Sequence, residues 1–225
     1  MRKFTLEITT LSPLHLGSGR GDVVIDADII HDDHGLPYFP AKRLKGLLYE
    51  SGIELLEILT AVPEYDGYDR ESWNKVFNRE CSTDKRLIIS NFHLPEYEEQ
   101  CREWNILQKS FADIFNPIDV LESYTMLRFQ TSIDKKTGVA LDTSLRNIRL
   151  LDSGIKFVGE ILLENCLEND VEFLALAIIN IKAAGMKRNR GMGHIKCEIF
   201  EDGKEIGKEL AKNVLKRGGL YNEAN

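Results

Sequence analysis

The sequence predicts an α+β fold of the ferredoxin-like type, an antiparallel sheet with helices on one face. Three observations predict it. Four stretches, RKFTLEITTL, KRLIISNFHL, IKFVGEILLE and HIKCEIF, alternate apolar and polar residues with the period of two of half-buried strands. Two others, KRLKGLLYESGIELLEIL and DVEFLALAIINIKAA, carry apolar residues at helical spacing. Their order is β-α-β, an insertion, then β-α-β, the split βαβ arrangement.

The first strand places Phe4, Leu6 and Ile8 on one face and Lys3, Thr5, Glu7 and Thr9 on the other. SPLHLGSGRGD follows as a glycine-rich loop, VVIDADII as extended chain, and HDDHGLPYFP as a turn-rich link. The first helix starts near Ala41, with Pro40 suited to its first turn. DRESWNKVFNR, from Asp69 to Arg79, reads as a short helix before the second strand, and YEEQCREWNILQKSFADIF as a helix after it. LRFQTSIDKKTGVALDTSLRNIRLLDSG reads as a long hairpin with Lys-Thr-Gly at its tip, too polar for the core. The third strand covers Ile155 to Glu164, the second main helix runs from Asp170 to Ala184, and a short charged helix with a frayed tail ends the chain. With no internal repeat or low-complexity linker, residues 1–225 form one domain.

Composition narrows the function classes. The chain has 225 residues, is 43% hydrophobic and carries a net charge of −7, which excludes a protein that coats nucleic acid over its whole surface but leaves room for a local basic groove. Apolar runs such as VEFLALAIINI are too short to span a membrane, the sequence opens on strand-like residues rather than a signal peptide, and the expected location is the cytoplasm. Cys81, Cys101, Cys166 and Cys197 form no CxxC pair, so reduced thiols are expected rather than a disulfide framework or zinc knuckle.

In this acidic chain the stretch KAAGMKRNRGMGHIK has no acid between Lys182 and Lys196. Gly185, Gly191 and Gly193 allow main-chain N–H groups to approach a ligand closely, and Lys187, Arg188 and Arg190 add positive charge, a combination suited to successive phosphates. Lys42, Arg43 and Lys45 lie at a helix N-terminus, where unpaired N–H groups favour anions. LGSGRGD, with Gly17, Ser18 and Arg20, lacks both the Lys-Ser/Thr ending of a P-loop and the GxGxxG spacing of a dinucleotide fold, which excludes an ATP or NAD site. Asp26, Asp28, Asp32 and Asp33, with His31 and His34, are the densest acidic cluster. Carboxylates there could hold a divalent cation beside an RNA backbone, whereas His31-Asp32-Asp33-His34 also reads as a polar turn before Gly35 and Pro37. His15 is either a loop or core histidine or a general base.

Five segments in sequence order resemble the RAMP superfamily, and within it the repeated backbone subunit of type III CRISPR effector complexes: SPLHLGSG, VVIDADIIHDDHGLPYFPAKRLKGLL, RLIISNFHL, TSIDKKTGVALDTSL and GMKRNRGMGHIKCE. Together they span most of Lys3 to Glu198. The resemblance implies a hand-like molecule, with an RRM-like palm, finger insertions and a thumb placed at about 117–154. It implies partners as well: guide RNA, target RNA, copies of the same chain and other RAMP-type subunits. In the cutting members an aspartate stands in the pattern Ile-Asp-x-x-Val/Ile-Ile, which VVIDADIIHD matches at Asp26; Asp28 sits where other members tolerate proline. Familiar members carry small hydroxyl residues before Leu-Lys-Gly, whereas Ala41-Lys42-Arg43 here implies ionic guide contacts. Residues 97–127 match no motif.

The expectation is therefore a guide-RNA-binding subunit that acts as a metal-dependent endoribonuclease. Asp26 would be its catalytic residue and would hold Mg2+ through water. Gly17, Ser18, Arg20, Lys42, Arg43, Lys45, Gly185, Lys187, Arg188, Arg190, Gly191 and Gly193 would contact RNA. Two alternatives are a non-catalytic subunit of the same complex and a metal-independent guide-processing endoribonuclease that uses His15.

Overall fold

The computed structural model describes residues 1–19, 21, 25–62, 68–79, 84–186 and 188–217. The chain runs through β1 (Arg2–Thr10), α1 (Ala41–Leu59), α2 (Arg70–Val76), β2 (Arg86–Ile89), α3 (Tyr97–Ser110), α4 (Pro117–Glu122), β3 (Thr125–Gln130), β4 (Arg146–Leu151), β5 (Lys156–Glu164), α5 (Glu168–Asn180), β6 (Ile195–Glu201), β7 (Lys204–Glu205) and α6 (Gly207–Arg217). The main sheet has the order β2-β5-β1-β6-β7, with every pair antiparallel. Two interleaved β-α-β units, β1-α1-β2 and β5-α5-β6, give this order. The predicted α+β, ferredoxin-like class is what the chain adopts.

Register decides which side of the sheet is core. Leu6 opposes Gly159 and Ile199, and Ile8 opposes Phe157 and Cys197, so the buried residues of three strands form continuous rows. These rows share one core with the apolar faces of α1, α5 and α6. Every residue of α5 from Val171 to Ile178 is buried, because the helix packs against both α1 and α6 and against β6. Close approach needs a glycine at two places. The Trp73 ring fills the space beside Gly52, and the Phe92 ring fills the space beside Gly159.

The opposite face of the sheet is neutralised by ion pairs between neighbouring residues. Lys3 pairs with Glu160 at 2.6 Å, Lys156 with Glu7 at 2.7 Å, and Lys196 with Glu198 at 2.6 Å. These three lysines are therefore already committed to carboxylates.

Three boundaries differ from expectation. α5 ends at Asn180, not Ala184. From Ile181 the chain is extended, Ala183 bridges His194, and the Ile195 N–H donates to the Lys182 carbonyl at 3.0 Å, so the main chain is used in a tight antiparallel loop rather than another helical turn. Pro40 is the N-cap of α1 rather than a first-turn residue. The second half of β4 is core despite its polar surroundings: Leu150 and Leu151 are fully buried, because Leu14 crosses over and pairs with Leu151. Among the described residues no helix is long and apolar enough to cross a membrane. Cys197 is buried, and burial pushes its thiol up to about 12; Cys101 and Cys166 are half-buried free thiols, and Cys81 lies outside the described residues.

Candidate nucleic-acid interface

The segment from Ile25 to Ile30 is a strap held on both sides by main-chain hydrogen bonds. On one side the Ser18 N–H donates to the Asp28 carbonyl at 2.9 Å and the Ile30 N–H to the Leu16 carbonyl at 2.8 Å; on the other, the Arg149 N–H of β4 donates to the Ala27 carbonyl at 3.0 Å. Ile25 and Ile29 are buried and anchor the strap, as the alternation Ile-Asp-Ala-Asp-Ile requires. Asp26 and Asp28 are left on the other side of the alternation, where they meet different environments.

Asp28 Oδ1 lies 3.0 Å from Nε of the buried Arg149 and accepts the Ile29 N–H at 2.8 Å. This carboxylate is committed to structure. Asp26 is exposed and exchanges two hydrogen bonds with Asn147. Its N–H donates to Asn147 Oδ1 at 2.9 Å, and its Oδ2 accepts the Asn147 N–H at 2.7 Å. Asp26 also lines a cavity of about 420 Å3 together with His15, Gln130, Ser144, Arg146 and Arg190. Among the described residues it is the one carboxylate in this lining, which also holds the Arg146 and Arg190 guanidiniums.

His15 is only 4% exposed, and its Nδ1 lies 2.9 Å from the Arg149 carbonyl. A carbonyl oxygen only accepts, so Nδ1 carries the proton and Nε2 the lone pair in the neutral ring. The packing places Gly17 directly against Nε2: a Cβ on Gly17 would lie 2.7 Å from it. The ring is a core histidine that supports the cavity floor.

The donor set tests the expected metal. Among the described residues no three His, Cys, Asp or Glu side chains gather to cage an ion. One exposed carboxylate in a cavity that also holds two guanidiniums instead fits a hydrated Mg2+ shared between Asp26 and phosphate oxygens, since that ion keeps several of its waters.

The expected RNA contacts fall into separate groups. Arg190 belongs to a short 3-10 turn, Arg188–Arg190, and reaches the Asp26 cavity; Arg188 is exposed beside it. Lys42 and Lys45 line a second cavity of about 370 Å3, which they share with Asn78 and Arg86. The structure therefore does not bring these two lysines into the Asp26 cavity. Arg43 connects the regions, its guanidinium donating to the Gly17 carbonyl. Ser18 is bonded through Oγ to the Asp28 carbonyl at 3.3 Å. Arg20 and Lys187 lie outside the described residues.

At Gly185 and Gly193 the close approach is to the protein's own main chain. A Cβ would lie 2.5 Å from the His15 carbonyl oxygen and 2.1 Å from that of Ala184, respectively. At Gly191 nothing lies within 4 Å. Two cavity-lining residues from the hairpin, Gln130 and Arg146, and Asn147, which bonds Asp26, are not among those the sequence singles out. The alternation in RNIRLL places Arg146 and Ile148 on one face, but nothing local announces that Asn147 reaches Asp26 across 121 positions.

The family model of the RAMP superfamily matches residues 7–196, from β1 into β6, and so includes every element of this site. The chain belongs to the RAMP superfamily. Among solved structures, this RAMP protein resembles a chain of the type III-B Cmr-beta complex bound to cognate target RNA, determined by cryo-EM. The TM-score is 0.64 at 12% identity, over 93% of this chain and 99% of that one. It also resembles a chain of type III-B Cmr-beta in its apo state, with a TM-score of 0.54 at 14% identity, over 90% and 99%. At such identities these are likenesses of fold. No curated protein matches the sequence significantly.

Proposed function

We propose that this RAMP-superfamily protein is a guide-RNA-binding backbone subunit of a cytoplasmic type III CRISPR interference complex, and that it cuts bound target RNA at Asp26. It would assemble with copies of itself and with other RAMP-type subunits. The observation that carries the reading is the fixed carboxylate of Asp26 in one cavity with Arg146 and Arg190. Family membership and the fold likeness to Cmr-beta chains support the assembly, and one of those structures is bound to target RNA.

The geometry suits cleavage by an RNA strand's own 2′-hydroxyl. The two guanidiniums neutralise the non-bridging phosphate oxygens, whose charge rises as the 2′-hydroxyl gives its proton to water and its oxygen bonds to phosphorus, while the bond from phosphorus to the 5′-oxygen breaks and that oxygen takes a proton from water. Asp26 orients the attacking group and would hold the hydrated Mg2+. When bound, that ion supplies further positive charge at the phosphate and a hydration shell through which protons move.

Cleavage of target RNA by the purified complex carrying Asp26→Ala tests the reading. Cutting at regular intervals by the parent complex and its loss in the variant, with guide RNA still bound, is the expected result. A variant that cuts at the parental rate would leave a purely structural subunit as the correct account.

A further inference from the structure

The hairpin's contribution goes beyond shape. We infer that Asn147 is the positioning residue for Asp26, and that Arg146 beside it binds the phosphate being cut, so that the base of β4 completes the site. This rests on the reading of Asp26 given above. The reciprocal pair is the main evidence. The Asn147 N–H holds the carboxylate through Oδ2 at 2.7 Å, while its side-chain oxygen takes the Asp26 N–H at 2.9 Å. Two bonds to one residue fix both where the aspartate sits and how its carboxylate is rotated. The parallel bridge of Ala27 with Ile148 continues the same register for one more residue.

One oxygen of the carboxylate is thereby occupied, and Oδ1 has no hydrogen-bond partner among the described residues. The pleat of β4 brings Arg146 and Ile148 into the cavity lining, while Asn147 reaches Asp26. Arg146 is exposed, has no ion-pair partner among the described residues, and shares the cavity with Asp26 and Arg190. A carboxylate sharing one cavity with two guanidiniums that have no ion-pair partner among the described residues is arranged for a phosphodiester, whose bidentate recognition suits arginine. The hairpin therefore cannot be exchanged or shifted without moving Asp26.

Single-turnover and steady-state cutting of target RNA by assembled complexes tests this. Asn147→Ala should lower kcat about 10- to 100-fold with KM for target unchanged, because a displacement near 1 Å is sufficient for such a loss. Asn147→Asp, which keeps the accepting oxygen, should restore most of it at saturating Mg2+. Arg146→Ala should raise KM for target, and Arg146→Lys should recover it only partly. Should Asn147→Ala fail to assemble, Asn147→Ser takes its place in the same comparison with Asn147→Asp. The inference is overturned if Asp26→Ala abolishes cutting while Asn147→Ala or Asn147→Ser cuts at the parental kcat, or if Asn147→Asp loses as much as either. Undiminished cutting by Asp26→Ala would instead remove the underlying reading.

Discussion

Asp28 grips the buried Arg149 at 3.0 Å, while Asp26, two residues earlier on the same strap, faces a cavity. Identical side chains thus perform opposite tasks. Removing Asp28 strands a guanidinium that is 4% exposed and leaves the Ile29 N–H without its acceptor. We expect Asp28→Ala to cost about 3 kcal/mol, the low end for breaking a buried pair, since the carboxylate keeps 23% exposure. Asp26→Ala should cost only about 1 kcal/mol, the net value of an exposed hydrogen bond, and act on cutting instead. Urea denaturation of the two variants checks the contrast, and equal losses would contradict it.

The three glycines of the 185–193 loop should not respond alike. All have positive φ, at 75°, 72° and 77° for Gly185, Gly191 and Gly193, so alanine at any of them pays about 1–2 kcal/mol for left-handed backbone. Only at Gly185 and Gly193 does the added methyl also run into a carbonyl oxygen. We expect Gly185→Ala and Gly193→Ala to lose roughly 3 kcal/mol or more, and Gly191→Ala only the backbone cost. Thermal denaturation midpoints decide this; Gly193→Ala as stable as Gly191→Ala would show that Ala184 yields freely.

The strands and main helices were legible because period and burial coincide: Phe4, Leu6 and Ile8 are the core face in both sequence and structure. Asp26 stood out only through its match to the family's Ile-Asp-x-x-Val/Ile-Ile pattern. Its surroundings did not. The Asp26–Asn147 pair joins two segments through two bonds, each from one residue's main-chain N–H to the other's side-chain oxygen, and the fold rather than any local pattern brings them together. The end of α5 was misjudged for a similar reason: Ile181 and Ala183 fit a helix well, and a main-chain pairing with the loop to β6 overrides that preference. The cationic loops were visible as charge, but their division between two cavities depends on where the strap and Arg43 lie.

Binding of guide and target RNA should carry the signature of these separate cationic sites. Each phosphate contact removed should flatten the dependence of log K on log salt by about 0.7 for a single strand or 0.9 for a duplex. We expect Lys45→Ala and Arg190→Ala each to do so, and the double variant to lose the sum, since the two cations line different cavities. Lys3→Ala is the control. Its ammonium lies 2.6 Å from Glu160 on the neutralised face of the sheet and should leave the slope unchanged. Filter binding across a salt series measures all four, and a flattened slope with Lys3→Ala would place RNA on the sheet face.

His93 gives the fold a dependence on pH that the carboxylates do not. Its ring stacks against Tyr38 at 5.7 Å and Tyr97 at 4.0 Å, with Nδ1 buried and unbonded among the described residues. Burial pushes the imidazole below its ordinary value of 6.5, and the Asp32 carboxylate, which accepts the Tyr97 hydroxyl at 2.8 Å, opposes this without cancelling it. The folded protein therefore binds this proton less readily than the unfolded chain. Stability from this group is fully present above pH 6.5 and declines as pH falls from there through the lowered value, because only the unfolded state gains a proton in that interval. His93→Phe keeps a ring in the stack and removes the titration. We expect its unfolding free energy, measured in urea between about pH 7.5 and 5, to fall less steeply than the parent's just below pH 6.5. Parallel curves would mean that burial and the Asp32 carboxylate cancel, and a parent curve less steep than the variant's would mean that Asp32 outweighs burial.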